Sequence, residues 1–248
     1  MKPDLKTIEP IAILHSPFKE KFGLPRQANL LKSTTAIVEL LPPYNTEDWL
    51  KGLTDFSDIW LIFGFHQSEQ DVCKPLVRPP RLGGNKKIGV FASRSPFRPN
   101  GIGMSRVVLQ DIIIQQNKCS LKVSCPDLVD GTPIYDIKPY IHYADANPNA
   151  KCGYAEEAPS AVLEVLFDQK AEYFLDSEHA IKYVNLREAI TEILALDPRP
   201  AYKKDTESKQ YGLQLFDLNI IWQYSEGKAK ILSIKPIQAE QGASPLRS

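Results

Sequence analysis

The chain has 248 residues, and its 30 lysines and arginines are balanced by 30 aspartates and glutamates. A formal net charge of zero means that bulk charge does not attract nucleic acid, so any such partner has to be bound by a local basic patch. The longest apolar run, residues 59–65, is far too short to cross a bilayer, and residues 1–10 lack the apolar core of a signal peptide. We therefore expect a cytoplasmic protein with no membrane partner.

The first 145 residues show one strand pattern after another, with little helix between them. Alternating or β-branched apolar patterns predict strands over residues 8–15, 34–41, 59–65, 87–92, 106–115 and 119–124. A shorter strand is expected between residues 127 and 140. Because strands alternating with helices would be needed for a βαβ array, the sequence favours an antiparallel sheet or barrel.

The composition changes after this strand-rich part. Residues 146–160 are rich in Ala, Pro, Asn and Gly and are expected to form a linker. Residues 161–238 predict a small α+β module, in which Asn185 and Glu188 resemble a capping box at the start of a helix. Residues 239–248 are expected to form a flexible tail.

The loop at residues 89–103 carries Arg94 and Arg98 among prolines, serines and an Asn-Gly pair. Proline fixes φ, so the loop loses little entropy on ordering, and its guanidinium groups suit a phosphate or carboxylate ligand. A surface loop with salt-bridged arginines is the structural alternative. Gly101 and Gly103 do not form a dinucleotide fingerprint, because the residues after them predict a strand where that motif needs a helix.

Two further candidates follow predicted strands in the first part. His66 and Gln67 come at the end of the strand at 59–65, where a lone histidine is more often structural than catalytic. Asp130 and Gly131 form a turn whose backbone N–H groups suit a polar ligand edge, with a plain hairpin as the alternative. Beyond that turn, Asp136 and Lys138 are expected to share one face of a strand.

The last candidate is the stretch after the helix pattern of the module, with Arg199, Tyr202 and Lys203. Cations beside an aromatic ring suit stacking on a base and pairing with phosphate. The alternative is a helix C-terminus that carries favourable positive charges. No second histidine has metal spacing to His66 and no C-x-x-C pair occurs, so no metal site is predicted.

Taken together, these motifs resemble one known family. The motifs are SPFKEKF at residues 16–22, PRQ at 25–27, FHQ at 65–67, RPPRLGGN at 78–85, the loop at 89–103, residues 127–140, and DPRPAYK at 197–203. Over about residues 8–234 the chain resembles the TsaA-like (TrmO) tRNA methyltransferases. The resemblance implies a homodimer that uses S-adenosylmethionine to methylate the N6 nitrogen of N6-threonylcarbamoyladenosine next to the anticodon of tRNA.

The resemblance also implies a fold and a site. The fold would be mainly β, with a non-Rossmann β-barrel at residues 1–145 that binds S-adenosylmethionine and a small C-terminal α+β module. The cofactor site would be lined by Pro25, Arg26, Gln27, His66, Gln67, Arg94, Asp130, Gly131, Thr132 and Pro133. The tRNA would be bound by Arg98, Arg199, Tyr202 and Lys203, with Arg94 facing the methyl donor.

The reaction implied by the resemblance requires help at the target nitrogen, which is a poor nucleophile while it is protonated. Asp136 is the preferred base candidate and Asp130 the next. A different class of function stays open: a non-catalytic β-barrel that senses a small ligand or RNA. A phosphoester hydrolase is disfavoured, because the sequence offers no carboxylate or histidine cluster to hold metals.

Overall fold

The computed structural model describes residues 7–67, 73–116, 118–124, 126–199 and 209–237. The first eight strands are β1 (Ala12–His15), β2 (Thr35–Leu40), β3 (Asp58–Gly64), β4 (Leu76–Val77), β5 (Ile88–Gly89), β6 (Ile102–Gln115), β7 (Lys118–Ser124) and β8 (Thr132–Pro139). Six of them close an antiparallel barrel in the order β1-β2-β7-β6-β3-β8, whereas β4 and β5 form a separate two-stranded ribbon. The predicted mainly-β barrel is therefore confirmed.

Alternation along the barrel strands explains the inner core. Successive side chains of a strand point to opposite faces, so every second residue faces the inside of the barrel. The fully or almost fully buried side chains follow that rule in β1, β2, β3 and β7: Ala12, Leu14, Ala36, Val38, Leu40, Ile59, Leu61, Phe63, Cys119, Leu121 and Val123. Burial of each large aliphatic or aromatic side chain contributes about 1.5–3 kcal/mol.

Two short elements near the barrel differ from the sequence prediction. The strand expected at residues 87–92 is confined to β5, and a single 3-10 turn at Val90–Ala92 follows it. The hairpin of β6 and β7 lies where it was predicted, with Gln115 opposite Lys118 at its tip. A short helix, α1 (His142–Asp145), follows β8.

The C-terminal module contains a four-stranded sheet and two helices. Its elements are β9 (Glu164–Phe167), α2 (Gln169–Leu175), α3 (Leu186–Ala195), β10 (Gln210–Leu215), β11 (Leu218–Ser225) and β12 (Lys228–Pro236). The sheet order is β10-β11-β12-β9, and β9 pairs with β12 in parallel. None of the helices in the described part of the chain is long and apolar enough to span a membrane.

The start of α3 does not use the predicted capping box. Asn185 adopts a left-handed backbone conformation (φ 56°), and its side chain makes no capping hydrogen bond. The helix is held by its apolar face, on which Ile190, Ile193 and Leu194 are almost completely buried. Tertiary packing, and not a polar cap, fixes this helix.

The connection between β1 and β2 is part of the core of the C-terminal module. Phe18 and Leu31 of this connection are buried in the same apolar cluster as the module's own residues. Phe18 forms an isolated β-bridge with Leu215, and Gly23 lies so close to Leu213 that a Cβ atom would overlap it. The module therefore shapes a loop that belongs to the barrel.

Candidate active site

Three connections meet at one end of the barrel. They join β1 to β2 (residues 16–34), β3 to β6 (residues 65–101) and β7 to β8 (residues 125–131). In an antiparallel barrel the end of one strand lies beside the start of its neighbour, so these connections share one end, which we call the loop end. Every residue predicted to line the cofactor site lies on one of these connections or on the first two residues of β8.

Asp130 ties two of the connections together. Its Oδ1 accepts a hydrogen bond from the backbone N–H of Ser16 at 2.9 Å, and its Oδ2 pairs with Lys19 Nζ at 2.7 Å. The backbone N–H of Gly131 donates to the carbonyl of Leu14 at 2.9 Å, with φ of +76° at this glycine. Both carboxylate oxygens of Asp130 thus hold the turn in place beside β1.

His66 lies against this turn. A Cβ atom at Gly131 would stand 3.7 Å from His66 Nε2, so the imidazole is close to the turn backbone. Its Nδ1 is buried and has no hydrogen-bond partner among the described residues. A buried polar atom without a partner costs about 1–3 kcal/mol, which a ligand atom at this position would offset. Gln67 is held next to it by Lys21 Nζ, which donates to the Gln67 carbonyl at 2.7 Å.

Arg94 joins the connection between β3 and β6 to the connection between β1 and β2 across the loop end. Its exposed guanidinium donates a hydrogen bond to Oε1 of Gln27, in the connection between β1 and β2. Pro25 and Arg26, next to Gln27, line a cleft of about 220 Å³ whose other wall includes Ile193 and Pro198 of the C-terminal module. The PRQ stretch is therefore enclosed between the loop at residues 89–103 and the module.

Asp127 is a residue of the site that the sequence analysis did not assign. It lies where β7 has ended, and its Oδ1 accepts a hydrogen bond from the hydroxyl of Ser105 on β6. Burial raises the pKa of Asp127, although the Ser105 hydrogen bond and the nearby Arg94 charge favour its ionised form. The only signal in the sequence was its place three residues before Asp130, which does not distinguish a buried carboxyl from a turn residue.

The guanidinium of Arg98 is bound within its own loop. Its Nη2 donates to the carbonyls of Ser93 at 2.7 Å and Val90 at 3.3 Å, and its Nε donates to the Ser95 carbonyl at 3.2 Å. These three acceptors fold the segment around the arginine. The structure thus gives Arg98 a loop-stabilising contact set in place of the RNA-facing one that was expected.

Asp136 faces away from the inside of the barrel. Simple alternation from Thr132 and Ile134 would place it inward, but a register shift between Ile62 and Phe63 intervenes, so that Asp136 lies opposite the outward-facing Ile62. Its Oδ2 pairs with Lys138 Nζ at 2.9 Å, as expected for two residues on one strand face. Among the described residues, its side-chain contacts are with Lys138 and the backbone N–H of Ile137, away from the loop end.

Arg199, which was predicted to bind tRNA, is buried in the C-terminal module. It is only 2% exposed, its Nε and Nη2 donate to the two carboxylate oxygens of Asp197, and its guanidinium lies 3.4 Å from the ring centre of Tyr224. A guanidinium that is buried, paired and stacked supports the module and does not reach a phosphate in solvent. The other two predicted tRNA contacts, Tyr202 and Lys203, lie outside the described residues.

Glu192 of α3 fixes the C-terminal end of the connection between β1 and β2. Its Oε2 accepts hydrogen bonds from the backbone N–H of Lys32 at 2.8 Å, and from the backbone N–H and hydroxyl of Ser33 at 3.1 and 2.7 Å. Together with the apolar contacts of Phe18 and Leu31, these bonds restrain both ends of the PRQ stretch. The loop end is therefore built jointly by the barrel and the module.

Three loops at one end of a closed antiparallel barrel carry an arginine, an imidazole, a buried carboxyl and a tight turn. Together they define the class of protein: a β-barrel with a polar ligand site. It differs in kind from folds that bind nucleotides through a glycine-rich turn between strand and helix. Comparison with known proteins agrees: residues 13–146 match the tRNA-methyltransferase O N-terminal domain and residues 160–237 match the TrmO C-terminal domain. The chain belongs to the TrmO family.

Relatives and solved structures support this membership over almost the whole chain. The tRNA (adenine(37)-N6)-methyltransferase of Escherichia coli K12 is 44% identical over 229 residues, which cover 92% of this chain and 97% of the relative. A putative S-adenosylmethionine-dependent methyltransferase of Pseudomonas aeruginosa is 41% identical and covers 88% of this chain and 92% of its own length. The crystal structure of TrmO from P. aeruginosa superposes with a TM-score of 0.78 at 33% identity, covering 94% of this chain and 99% of the other.

Proposed function

We propose that this protein methylates the N6 nitrogen of N6-threonylcarbamoyladenosine, the modified adenosine next to the anticodon of tRNA. As a member of the TrmO family, the chain is an S-adenosylmethionine-dependent tRNA methyltransferase. The threonylcarbamoyl group is the finer part of the proposal, and it rests on the motif resemblance. Because the substrate is tRNA, we expect the enzyme to work in the cytoplasm.

The single observation that carries the proposal for the site is the buried Nδ1 of His66 at the loop end, which has no hydrogen-bond partner in the described part of the chain. S-Adenosylmethionine offers hydroxyl, amino, ring-nitrogen and carboxylate groups, any of which satisfies an imidazole nitrogen in one of its tautomers. The exposed guanidinium of Arg94 adds a charge-assisted donor for an acceptor group on the same ligand. The residues present therefore fit the cofactor.

The proposed cofactor residues divide into two groups by their contacts. Pro25, Arg26, Gln27, His66, Gln67 and Arg94 would line the ligand, whereas Asp130, Gly131, Thr132 and Pro133 form a turn that faces it. Thr132 is buried and its hydroxyl donates to the Val129 carbonyl at 2.6 Å, so this side chain stabilises the turn from within. The turn then presents backbone to the ligand in a fixed shape, which is the main contribution a protein makes to a transfer reaction that depends on alignment.

When bound, the cofactor supplies an electrophilic methyl group on a positively charged sulfur. The target nitrogen gains this methyl group and loses its proton, which a base has to accept. Of the two base candidates, Asp130 lies at the loop end and Asp136 does not, so we propose Asp130 as the base. Its Oδ2, which pairs with Lys19 Nζ at 2.7 Å, would accept this proton, while Oδ1 keeps its hydrogen bond to the backbone N–H of Ser16.

The experiment that tests the function uses the purified protein with radiolabelled S-adenosylmethionine and two preparations of the same tRNA, one with and one without the threonylcarbamoyl group. We expect label in the modified tRNA alone. Transfer to both would contradict the substrate proposal. Cofactor binding without transfer to either would favour a barrel that senses its ligand.

The two aspartates are compared in the same assay. Asp136→Asn should retain the turnover of the unaltered enzyme, because its carboxylate pairs only on the outer barrel wall. Asp130→Asn should lose turnover. Cofactor affinity, measured by calorimetry for both variants, separates a missing base from a distorted turn: the base proposal requires that Asp130→Asn still binds the cofactor.

We also propose that the enzyme works as a homodimer, in line with the family that the motifs resemble. Light scattering at the concentration used for activity should give twice the mass of the 27.9 kDa chain. A single-chain mass in a fully active sample would contradict this part of the proposal. Tyr202 and Lys203 stay proposed tRNA contacts, to be tested by their alanine variants.

A further inference from the structure

Residues 73–101 form the most unbalanced stretch of charge in a chain whose net charge is zero. They contain seven lysines and arginines and no aspartate or glutamate: Lys74, Arg78, Arg81, Lys86, Lys87, Arg94 and Arg98. The rest of the chain carries the compensating negative excess. We call residues 73–101 the basic segment, and Arg94 and Arg98 are the only two of its cations already given a role.

The other five cations are exposed to solvent and are not neutralised by carboxylates. Lys74, Arg78, Arg81, Lys86 and Lys87 are all exposed. Within the described residues, no ion pair involves any cation of the basic segment. Most exposed charges on a protein surface are balanced by neighbours of both signs, so a run of one sign creates a local positive field.

The fold holds this segment in a defined shape. The ribbon of β4 and β5 pairs Leu76 with Gly89 and Val77 with Ile88, which places Arg78 and Lys87 at the same end of the ribbon. The turn beyond them is held by Arg81, whose guanidinium donates to the Glu157 carbonyl. Because a carbonyl carries no net charge, this contact does not neutralise the arginine. The cations are therefore presented by a braced ribbon at fixed positions.

An exposed aromatic ring lies in the same segment. Phe91 directly follows β5, and 83% of it is exposed. A phenylalanine so exposed loses the benefit of burial in the isolated protein, but an unstacked nucleobase can stack on its face. Phe91 precedes Arg94 by three residues in the connection that reaches the loop end.

The segment is also continuous with the active site. The backbone N–H of Phe65 donates to the Gly101 carbonyl at 2.9 Å, so the C-terminal end of the segment lies beside the residue that precedes His66. Arg94 belongs both to this segment and to the contact with Gln27. A polyanion bound along the segment would reach the loop end without passing an aspartate or glutamate of the segment, because residues 73–101 contain none.

We infer that the basic segment binds the phosphodiester backbone of the tRNA anticodon arm, and that Phe91 stacks on an unpaired nucleotide of the anticodon loop. This inference rests on the proposed function, since it names the surface that brings tRNA to the proposed site. Lysines and arginines on a ribbon neutralise successive phosphates, and the aromatic ring holds one base out of the stack. Sequence-independent contacts of this kind suit an enzyme whose chemical selectivity lies in one modified base.

The test compares a charge variant with a matched control. The double variant Lys86→Gln/Lys87→Gln removes two cations from the segment, and Lys51→Gln/Lys235→Gln removes two exposed lysines that form no ion pair among the described residues. Binding to fluorescent tRNA is measured at salt concentrations from about 50 to 300 mM. Each lost phosphate contact should reduce the slope of log affinity against log salt by about 0.7–0.9, so the segment variant should lose about 1.5 from the slope. The control should keep the slope of the unaltered protein.

Phe91→Ala and Phe91→Tyr test the stacking contact. The alanine variant should bind tRNA about 10-fold more weakly at every salt concentration with an unchanged slope, and the tyrosine variant should restore binding. Cofactor affinity by calorimetry should be the same in all four variants, because none of these side chains contacts the proposed cofactor residues. Loss of that affinity would reveal an unfolded variant. In that case the single variant Lys86→Gln replaces the double variant in the comparison with the control.

The outcomes distinguish this inference from the proposed function. If the unaltered protein binds tRNA with a steep salt slope but transfers no methyl group, the proposed function is contradicted and the inferred tRNA-binding surface is supported. If it methylates tRNA and the segment variant keeps the slope and KM of the control, the inference is overturned. Equally tight binding of a polyglutamate peptide, abolished by the same double variant, would also overturn it in favour of an acidic protein partner.

Discussion

Two proline-flanked arginine loops look alike in the sequence and have opposite roles in the structure. Arg94 is exposed and reaches across the loop end to Gln27, whereas Arg199 is 2% exposed, pairs with Asp197 and stacks on Tyr224. The basic segment around Arg94 has no acidic residue to capture it, but Asp197 stands two residues before Arg199. A local carboxylate that can be buried together with the arginine decides whether the guanidinium is buried in the fold or stays exposed.

The largest effect is expected where the arginine is buried. Arg199→Ala should lower the free energy of unfolding by about 3–5 kcal/mol, because it removes the guanidinium that pairs with the buried Asp197 carboxylate. Urea denaturation measures this loss. Lys230→Ala, which breaks an exposed ion pair with Asp168, serves as the control and should change stability by at most about 1 kcal/mol. A stable Arg199→Ala protein with a raised KM for tRNA would contradict this prediction and show that Arg199 contacts the tRNA.

The second prediction concerns the exposed arginine. Arg94→Ala should leave the free energy of unfolding within about 0.5 kcal/mol of the original value, since its side chain lies in solvent. Cofactor affinity by calorimetry should fall by about 10–100-fold, as expected for the loss of a charge-assisted hydrogen bond. If Arg94→Ala keeps its cofactor affinity, the contrast between the two loops disappears.

Arg98 lies between these extremes, because it is in the exposed loop but is bound to that loop's own carbonyls. Arg98→Ala should remove the guanidinium donor from the carbonyls of Ser93 and Ser95 and destabilise the loop by about 1–2 kcal/mol, whereas the Val90 carbonyl keeps the N–H and hydroxyl of Ser93 as donors. Hydrogen exchange should then accelerate in residues 90–97 while the barrel strands keep their protection. Unchanged exchange in the loop, with weaker tRNA binding alone, would restore Arg98 as an RNA contact.

The smallest effect is expected for Asp127, one of the two buried carboxylates that interact with these arginines. Asp197 is neutralised by Arg199, whereas burial raises the pKa of Asp127. A raised pKa means that the folded state binds the proton more tightly, so Asp127 lowers stability as pH rises from its unfolded value of about 3.9 through its folded value. Asp127→Asn should therefore gain stability relative to the unaltered protein as pH rises across that interval, measured by urea denaturation at a series of pH values. A constant difference between the two proteins over the series would contradict a titrating Asp127.

The barrel could be predicted from the sequence because strand alternation is a local property. The hairpin of β6 and β7 and the strand that delivers His66 lie where the pattern placed them. The direction of Asp136 could not be predicted, because one register shift opposite Ile62 reverses the face of every later residue in β8. A bulge is decided by the pairing of two strands and leaves no local pattern.

The residues of the candidate site could also be predicted only in part from the sequence. Motifs predicted Arg94, His66 and the Asp130 turn as site residues, and the fold brings them to one end of the barrel. The burial of Arg199 depends on Tyr224 of β11, which lies 25 positions later in the chain. Asp127 was overlooked because its partner Ser105 lies on β6, and nothing next to it in the chain marks it as buried. Residue types were informative about chemistry, whereas exposure depended on contacts that are distant in the sequence.

The packing of Phe18 and Leu31 into the C-terminal module has a consequence for how the protein is made. Domains commonly fold from the N-terminus as they leave the ribosome, so the barrel strands are available before β10, β11 and β12 have been synthesised. The apolar surface that receives Phe18 includes Leu213 and Leu215 of β10. The stretch with Pro25, Arg26 and Gln27 therefore reaches its final packing only after the last strands emerge, when translation is nearly finished.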